Sequence, residues 1–221
     1  MDLLGVVGVS AGAVAIPLSA VSASTAVAAI SQGASQQGGG GGGGGGEPAK
    51  DDPRVAKFSI KVSCADRGPL GKELDGKIVV LRNKKLYLDD SDPQHRQFPD
   101  GHPFSGFYID YPVGKKELGL VSTISVDPPE LNWIYADAST LELKYGNKTA
   151  SQDEIPGPWD WTDDQTAVTL DEWEGFVAAE EEAGNGVWVV HYDRDDDHLR
   201  TVRGSDKDVV EIGLERRLLK V

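Results

Sequence analysis

From residue 58 onward, apolar and polar side chains alternate along most of the chain. Phe58, Ile60, Val62 and Cys64 alternate with Lys57, Ser59, Lys61 and Ser63, the period-two signature of a strand with one buried face. Leu141, Leu143 and Tyr145 alternate with Glu142 and Lys144, and Val210, Ile212 and Leu214 with Glu211 and Glu215. Further strands are expected over 77–82, 85–88, 105–111, 118–126, 131–136 and 187–193. Turn residues separate them at Arg82-Asn83-Lys84, Tyr145-Gly146-Asn147 and Ala183-Gly184-Asn185-Gly186. Residues 170–182 are ambiguous: Leu170, Trp173 and Val177 fit a helical spacing. Gly175 weakens a helix, and 174–181 can pair with 187–193 across the Gly-Asn-Gly turn, so a hairpin is expected. Many short strands with few helical windows indicate a mainly β domain over residues 54–221, an antiparallel β-sandwich or barrel.

The pattern changes sharply before residue 54. Residues 3–30 carry no charged and no aromatic side chain and are rich in Ala, Gly, Ser and Val. A bilayer core of about 30 Å needs about 20 such residues in a helix. Gly8-Val9-Ser10-Ala11-Gly12 supplies a GxxxG spacing that lets helix backbones approach. Residues 1–31 therefore read as a hydrophobic helix that inserts into a membrane or self-associates. A cleaved secretory signal competes, since Ala26-Val27-Ala28 resembles a cleavage site, but Asp2 stands where a positive n-region belongs. Residues 32–53 contain nine consecutive glycines, Gly38–Gly46, and read as a flexible linker. Lys50, Arg54 and Lys57 follow the apolar segment and no Lys or Arg precedes it, which favours the β-domain in the cytosol with membrane association; secretion is the alternative.

Acidic residues number 36 against 22 Lys and Arg, a formal charge of −14. That excess argues against a nucleic-acid partner, which needs a basic face, and against docking of the folded part on anionic lipid. One cysteine, Cys64, excludes an internal disulfide.

The segments Asn132-Trp133-Ile134-Tyr135, Lys144-Tyr145-Gly146, Gly157-Pro158-Trp159-Asp160, Trp173-Glu174-Gly175-Phe176-Val177-Ala178 and Tyr192-Asp193-Arg194-Asp195-Asp196-Asp197 resemble an uncharacterised family of fungal proteins. The resemblance covers most of residues 54–221 and implies no known activity, substrate or catalytic residue. Proteins of that kind often begin with a small-residue apolar segment, which suits residues 3–30.

Several motif matches lack their context. Gly8-x-Ser10-x-Gly12 has only seven residues before it, where a nucleophile elbow needs a strand. Gly71 to Lys77 approaches a P-loop, but Ile78 replaces the magnesium-binding hydroxyl, so it reads as a turn before a strand. His191 lies in an expected strand and reads as packed or surface; His95 and His102 flank a polar loop and read as solvated. Asn147-Lys148-Thr149 is a glycosylation sequon, relevant only on a secretory route.

Two clusters carry candidate chemistry. Trp159, Asp160, Trp161 and Trp173 place aromatic rings beside carboxylates around residues 149–166. This stretch, with Pro156 and Pro158, reads as a loop. Rings that stack on sugar C–H faces, with carboxylates taking hydroxyl hydrogen bonds, would bind carbohydrate; the same indoles could instead plug one end of the core. Asp193, Asp195 and Asp197 alternate as at the start of a calcium loop, and calcium is the cofactor they would take. His198 and Gly204 stand where an EF-hand needs Gly and Glu. Glycoside hydrolysis would need two carboxylates at a defined separation, and no spacing singles out a pair. The reading is a non-enzymatic β-rich interaction domain, tethered to a membrane or to itself through residues 3–30. A secreted carbohydrate-binding or glycoside-hydrolysing sandwich and a calcium-stabilised domain are the alternatives.

Overall fold

The computed structural model describes residues 52–114, 116–203 and 208–220. The apolar segment and most of the expected linker lie outside the described residues, and no helix among the described residues is long and apolar enough to cross a membrane.

The strands are β1 (Phe58–Ser63), β2 (Ile78–Arg82), β3 (Lys85–Asp89), β4 (His102–Pro103), β5 (Gly106–Asp110), β6 (Leu118–Val126), β7 (Pro129–Ala136), β8 (Leu143–Gly146), β9 (Trp159–Trp161), β10 (Val168–Leu170), β11 (Phe176–Glu180), β12 (Trp188–Tyr192) and β13 (Val209–Leu218). Every pairing is antiparallel. From β1 the ladder runs through β2, β3, β12, β11 and β13 and returns to β1, so six strands pair in a closed ring. The inward residues of these strands, among them Phe58, Ile60, Leu88, Phe176, Val190 and Leu214, form the main core with Tyr108, Ile134 and Trp159. Closure leaves few unpaired strand edges to template aggregation.

Three hairpins recur: β2–β3, β6–β7 and β11–β12. Asn83 and Lys84, both at positive φ, make the tight turn of the first, whose backbone twist matches paired strands. In the third, the buried Glu180 carboxylate accepts the N–H groups of Gly184 (2.5 Å) and Gly186 (3.0 Å), and both glycines take positive φ. The hairpin expected over 174–193 is therefore the observed one.

Each hairpin also ends on an aspartate that ties down the loop after it. Asp89 accepts from the N–H groups of Gln97 (2.8 Å) and Phe98 (2.9 Å). Asp137 accepts from Ser139 (2.9 Å) and Thr140 (2.8 Å), and Asp193 from Asp197 (3.2 Å) and His198 (2.9 Å). Loop N–H groups that would otherwise lack partners are thus satisfied at equivalent places in three successive units.

A charged seam crosses the outer surface where β3 meets β8 and β12. Lys85 pairs with Glu142 (2.9 Å) and Glu181 (3.1 Å), and Lys144 with Asp137 (2.5 Å). Burial alone would raise the Asp137 and Glu142 carboxyls, but hydrogen bonds from Lys144, Ser139 and Thr140 to Asp137, and Lys85 with Lys144 beside Glu142, act together to hold both below the usual range. Beside this seam His191 is fully buried; its Nδ1 faces Val189 O (3.1 Å) and its Nε2 faces Arg203 Nη1 (2.9 Å). An arginine can only donate, so Nε2 is the acceptor and the ring is neutral with its proton on Nδ1.

The structure departs from the sequence reading at residues 149–166 and 69–74, and adds a helical turn at 200–203. Residues 149–166 are not all loop, since β9 pairs with β10 within a two-stranded sheet. A three-residue strand behind Pro156 and Pro158 carries too short an alternation to register. Residues 69–74 form a short helix with Pro69 in its first turn, and the turn before β2 is confined to Asp75 and Gly76. Residues 200–203 are helical, with Asp197 accepting from the Thr201 N–H (2.9 Å).

Candidate functional site

In β9, Trp159 and Trp161 sit two residues apart and share the inner side of the strand. Trp159 is only 1% exposed; its ring stacks on Phe176 (6.1 Å between centroids, 1° between planes) and its indole N–H donates to Ile134 O at 3.1 Å. It fills the core and offers no face to a ligand, which corrects its place among the candidate binding residues.

Trp161 is half-buried at the rim of the ring. Its indole meets the Tyr108 ring edge-on (5.4 Å, 86°). Two guanidiniums lie against it: Arg216 with its Cζ 4.2 Å from the ring centroid and Arg54 at 4.9 Å. Arg54 comes from the short 3₁₀ turn Pro53–Val55 where the chain enters the domain, and Asp52 caps that turn by accepting the Arg54 N–H (2.8 Å). Asp160 grips Arg54 through both carboxylate oxygens (3.2 and 3.1 Å). Asp160 is therefore a partner for the entering chain rather than a free acceptor.

Arg216 has no such carboxylate. Its guanidinium covers Phe58 (4.8 Å) and Tyr108 (5.7 Å) as well as Trp161, and Nη1 donates to Gln165 O (2.7 Å). Burial pulls its pKa below the usual arginine value. Among the described residues, two buried side-chain polar atoms lack a hydrogen-bond partner, the Nε of Arg54 and the Nε of Arg216. Both belong to the guanidiniums that flank one indole. Buried donors in native proteins are nearly always satisfied, so a pair of exceptions at one place calls for a physical reason.

Beside Arg216 opens a recess of about 580 Å³, walled by Pro53 and Ala56, by Asp164, Gln165 and Thr166 in the β9–β10 turn, and by Glu215 to Leu218 of β13. Asp164 is engaged by the hydroxyls of Thr162 (2.6 Å) and Thr166 (2.8 Å), which keep its carboxyl below the usual range, and Glu215 pairs with Arg217. The sequence reading missed this wall. Its members come from three separate segments of the chain, 53–56, 164–166 and 215–218, and the run Glu215-Arg216-Arg217 looks like an ordinary charged strand.

A ring of antiparallel strands carrying three loop-tied hairpins is the setting for the comparison with known proteins. Residues 25–220 match the family model of the fungal beta-trefoil domain. The chain belongs to this family. The match begins within the apolar segment and includes the glycine run. No curated protein and no solved structure matches the chain.

In this fungal beta-trefoil domain Trp173 stands apart from Trp161. It closes the tight turn Leu170–Trp173, whose Asp171 and Glu172 both take positive φ, and it is 45% exposed. Its indole N–H donates to Asp193 O (3.3 Å) and the ring lies over Gly175, where a Cβ would overlap Nε1. Gly175→Ala is accordingly expected to displace the exposed Trp173 ring at a cost of about 1 kcal/mol or less. A blue- or red-shifted Trp emission together with a lowered urea midpoint would show it.

The acidic run does not converge on a point. Asp193 is buried and holds loop N–H groups, Asp195 pairs with Arg194 (3.3 Å), and Asp197 caps the helix Arg200–Arg203 through Thr201. Among the described residues, no group of three His, Cys, Asp or Glu side chains is gathered to hold a metal. The structure thus sets Trp161 against Arg54 and Arg216 and Asp160 against Arg54, buries Trp159 of the same strand in the core, and leaves Trp173 and the three aspartates elsewhere.

Proposed function

We propose that this chain is a non-enzymatic binding module whose ligand enters the recess beside Arg216. The guanidinium of Arg216, a wall residue of that recess without a carboxylate partner, carries the reading. Arginine donors left without acceptors are groups that a bound acceptor would satisfy, and the β-trefoil is a fold on which binding sites are commonly built. Thr166→Trp fills the recess from its exposed wall. A thermal-shift panel of small anions and neutral sugars tests the reading: a ligand that raises the melting temperature of the full chain, and does not in Thr166→Trp, supports it. A panel that acts equally on both proteins overturns it.

The module is carried on residues 1–31, which anchor it in a membrane or to a second copy, with residues 32–53 as the tether. The absence of charge over residues 3–30 supports this. Flotation with phosphatidylcholine vesicles and sedimentation of the full chain check it. Val9→Asp with Val14→Asp is expected to release the protein from vesicles or dissociate its oligomer; unchanged flotation and unchanged size in the double variant refute the anchor.

The second reading, a secreted carbohydrate-binding domain, now rests on Trp173, the one candidate indole with an open face. Glycan-array binding lost in Trp173→Ala would favour it over the recess.

A further inference from the structure

We propose that the recess ligand carries an oxyanion, a carboxylate or phosphate group of a small soluble molecule, and that Arg216 is the residue that takes it. The inference rests on the recess reading above and adds the chemical class. Among the described residues Arg216 has no carboxylate partner, although the chain has 36 acids against 22 Lys and Arg. This residue of the recess wall has its guanidinium parked over three aromatic rings, with one hydrogen bond to a carbonyl. A planar fork in that state gains most from an acceptor with two oxygens, because the pair forms two parallel charge-assisted bonds.

The other charges on the recess wall are already engaged. Glu215 neutralises Arg217, and Asp164 is held by the Thr162 and Thr166 hydroxyls on the exposed lip. Across the indole, Asp160 neutralises Arg54. Asp164 keeps its negative charge at the lip, and Arg216 is the cation of the wall without a carboxylate partner. The volume of about 580 Å³ suits a small molecule. An anionic bilayer is a poor source of the group, because a body of this net charge is repelled from it.

The test uses the full chain and inorganic phosphate, with sodium chloride at matched ionic strength as the control for screening. Phosphate is expected to raise the melting temperature beyond chloride. Its affinity is expected to fall at least about tenfold in Arg216→Gln and to vanish in Thr166→Trp. Arg216→Lys keeps the charge without the fork and is expected to weaken binding by a few-fold, which decides the matter where Arg216→Gln does not fold. Equal phosphate shifts in the wild type and both Arg216 variants overturn the proposal. So does a shift by neutral N-acetylglucosamine alone, abolished by Thr166→Trp; that result keeps the recess as a binding site and removes the oxyanion. Phosphate and sugar both inert overturn the proposal as well.

Discussion

Trp159→Ala is expected to destabilise the domain by about 3–5 kcal/mol, the range for truncating a large buried aromatic. The side chain is almost wholly withdrawn from water, stacks on Phe176, and satisfies the Ile134 carbonyl. Its removal would leave a cavity between β9 and the ring of strands and an unpaired carbonyl within it. Trp173→Ala is the matched control: it exposes little new apolar surface and is expected to cost about 1 kcal/mol or less. Urea midpoints of the two variants separate them. Equal losses would mean that Trp159 does not organise the core as described.

The second large effect is acid-induced. Burial, reinforced by the Arg203 guanidinium, lowers the His191 pKa to about 4 from its ordinary 6.5; Val189 O and Glu142 oppose the shift, and Lys85 adds to it. An unfolded chain therefore takes up a proton at this residue where the folded chain does not. The stability this provides is complete above pH about 6.5 and is lost as pH falls toward 4, up to about 3 kcal/mol over the whole window. Between pH 6.5 and 5 the effect is about 2 kcal/mol, before most carboxylates titrate. His191→Gln keeps an acceptor for Arg203 and a donor for Val189 O but cannot titrate. Its urea midpoint is expected to be flatter than the wild type's from pH 6.5 to 5. Parallel pH profiles for the two proteins would refute the assignment.

The strands were legible because alternation is a local signal. Phe58 to Cys64, the 118–126 and 131–136 pair, and the Gly-Asn-Gly hairpin each announce themselves within ten to twenty residues. β9 was not legible, since Trp-Asp-Trp offers a single alternation after two prolines. The recurrence of the aspartate after each hairpin also escaped notice. Tyr87-Leu88-Asp89, Tyr135-Ala136-Asp137 and His191-Tyr192-Asp193 share little beyond the acid, and their equivalence is one of place in the fold. The recess was invisible for a different reason. Its walls come from residues 53–56, 164–166 and 215–218, and no spacing rule joins three such separate segments.

The pairing of β1 with β13 has a consequence for how the molecule is made. β1 emerges first among the strands, yet all six of its residues find their partners in the last ten-residue strand, from Phe58 with Leu218 to Ser63 with Gly213. Its other pairings are single contacts with β2 and β5. During synthesis, then, the hairpins can form as they appear, while the seam that shuts the ring waits for β13. A chain that lacks β13 would carry an open edge along β1 and an uncovered Phe58.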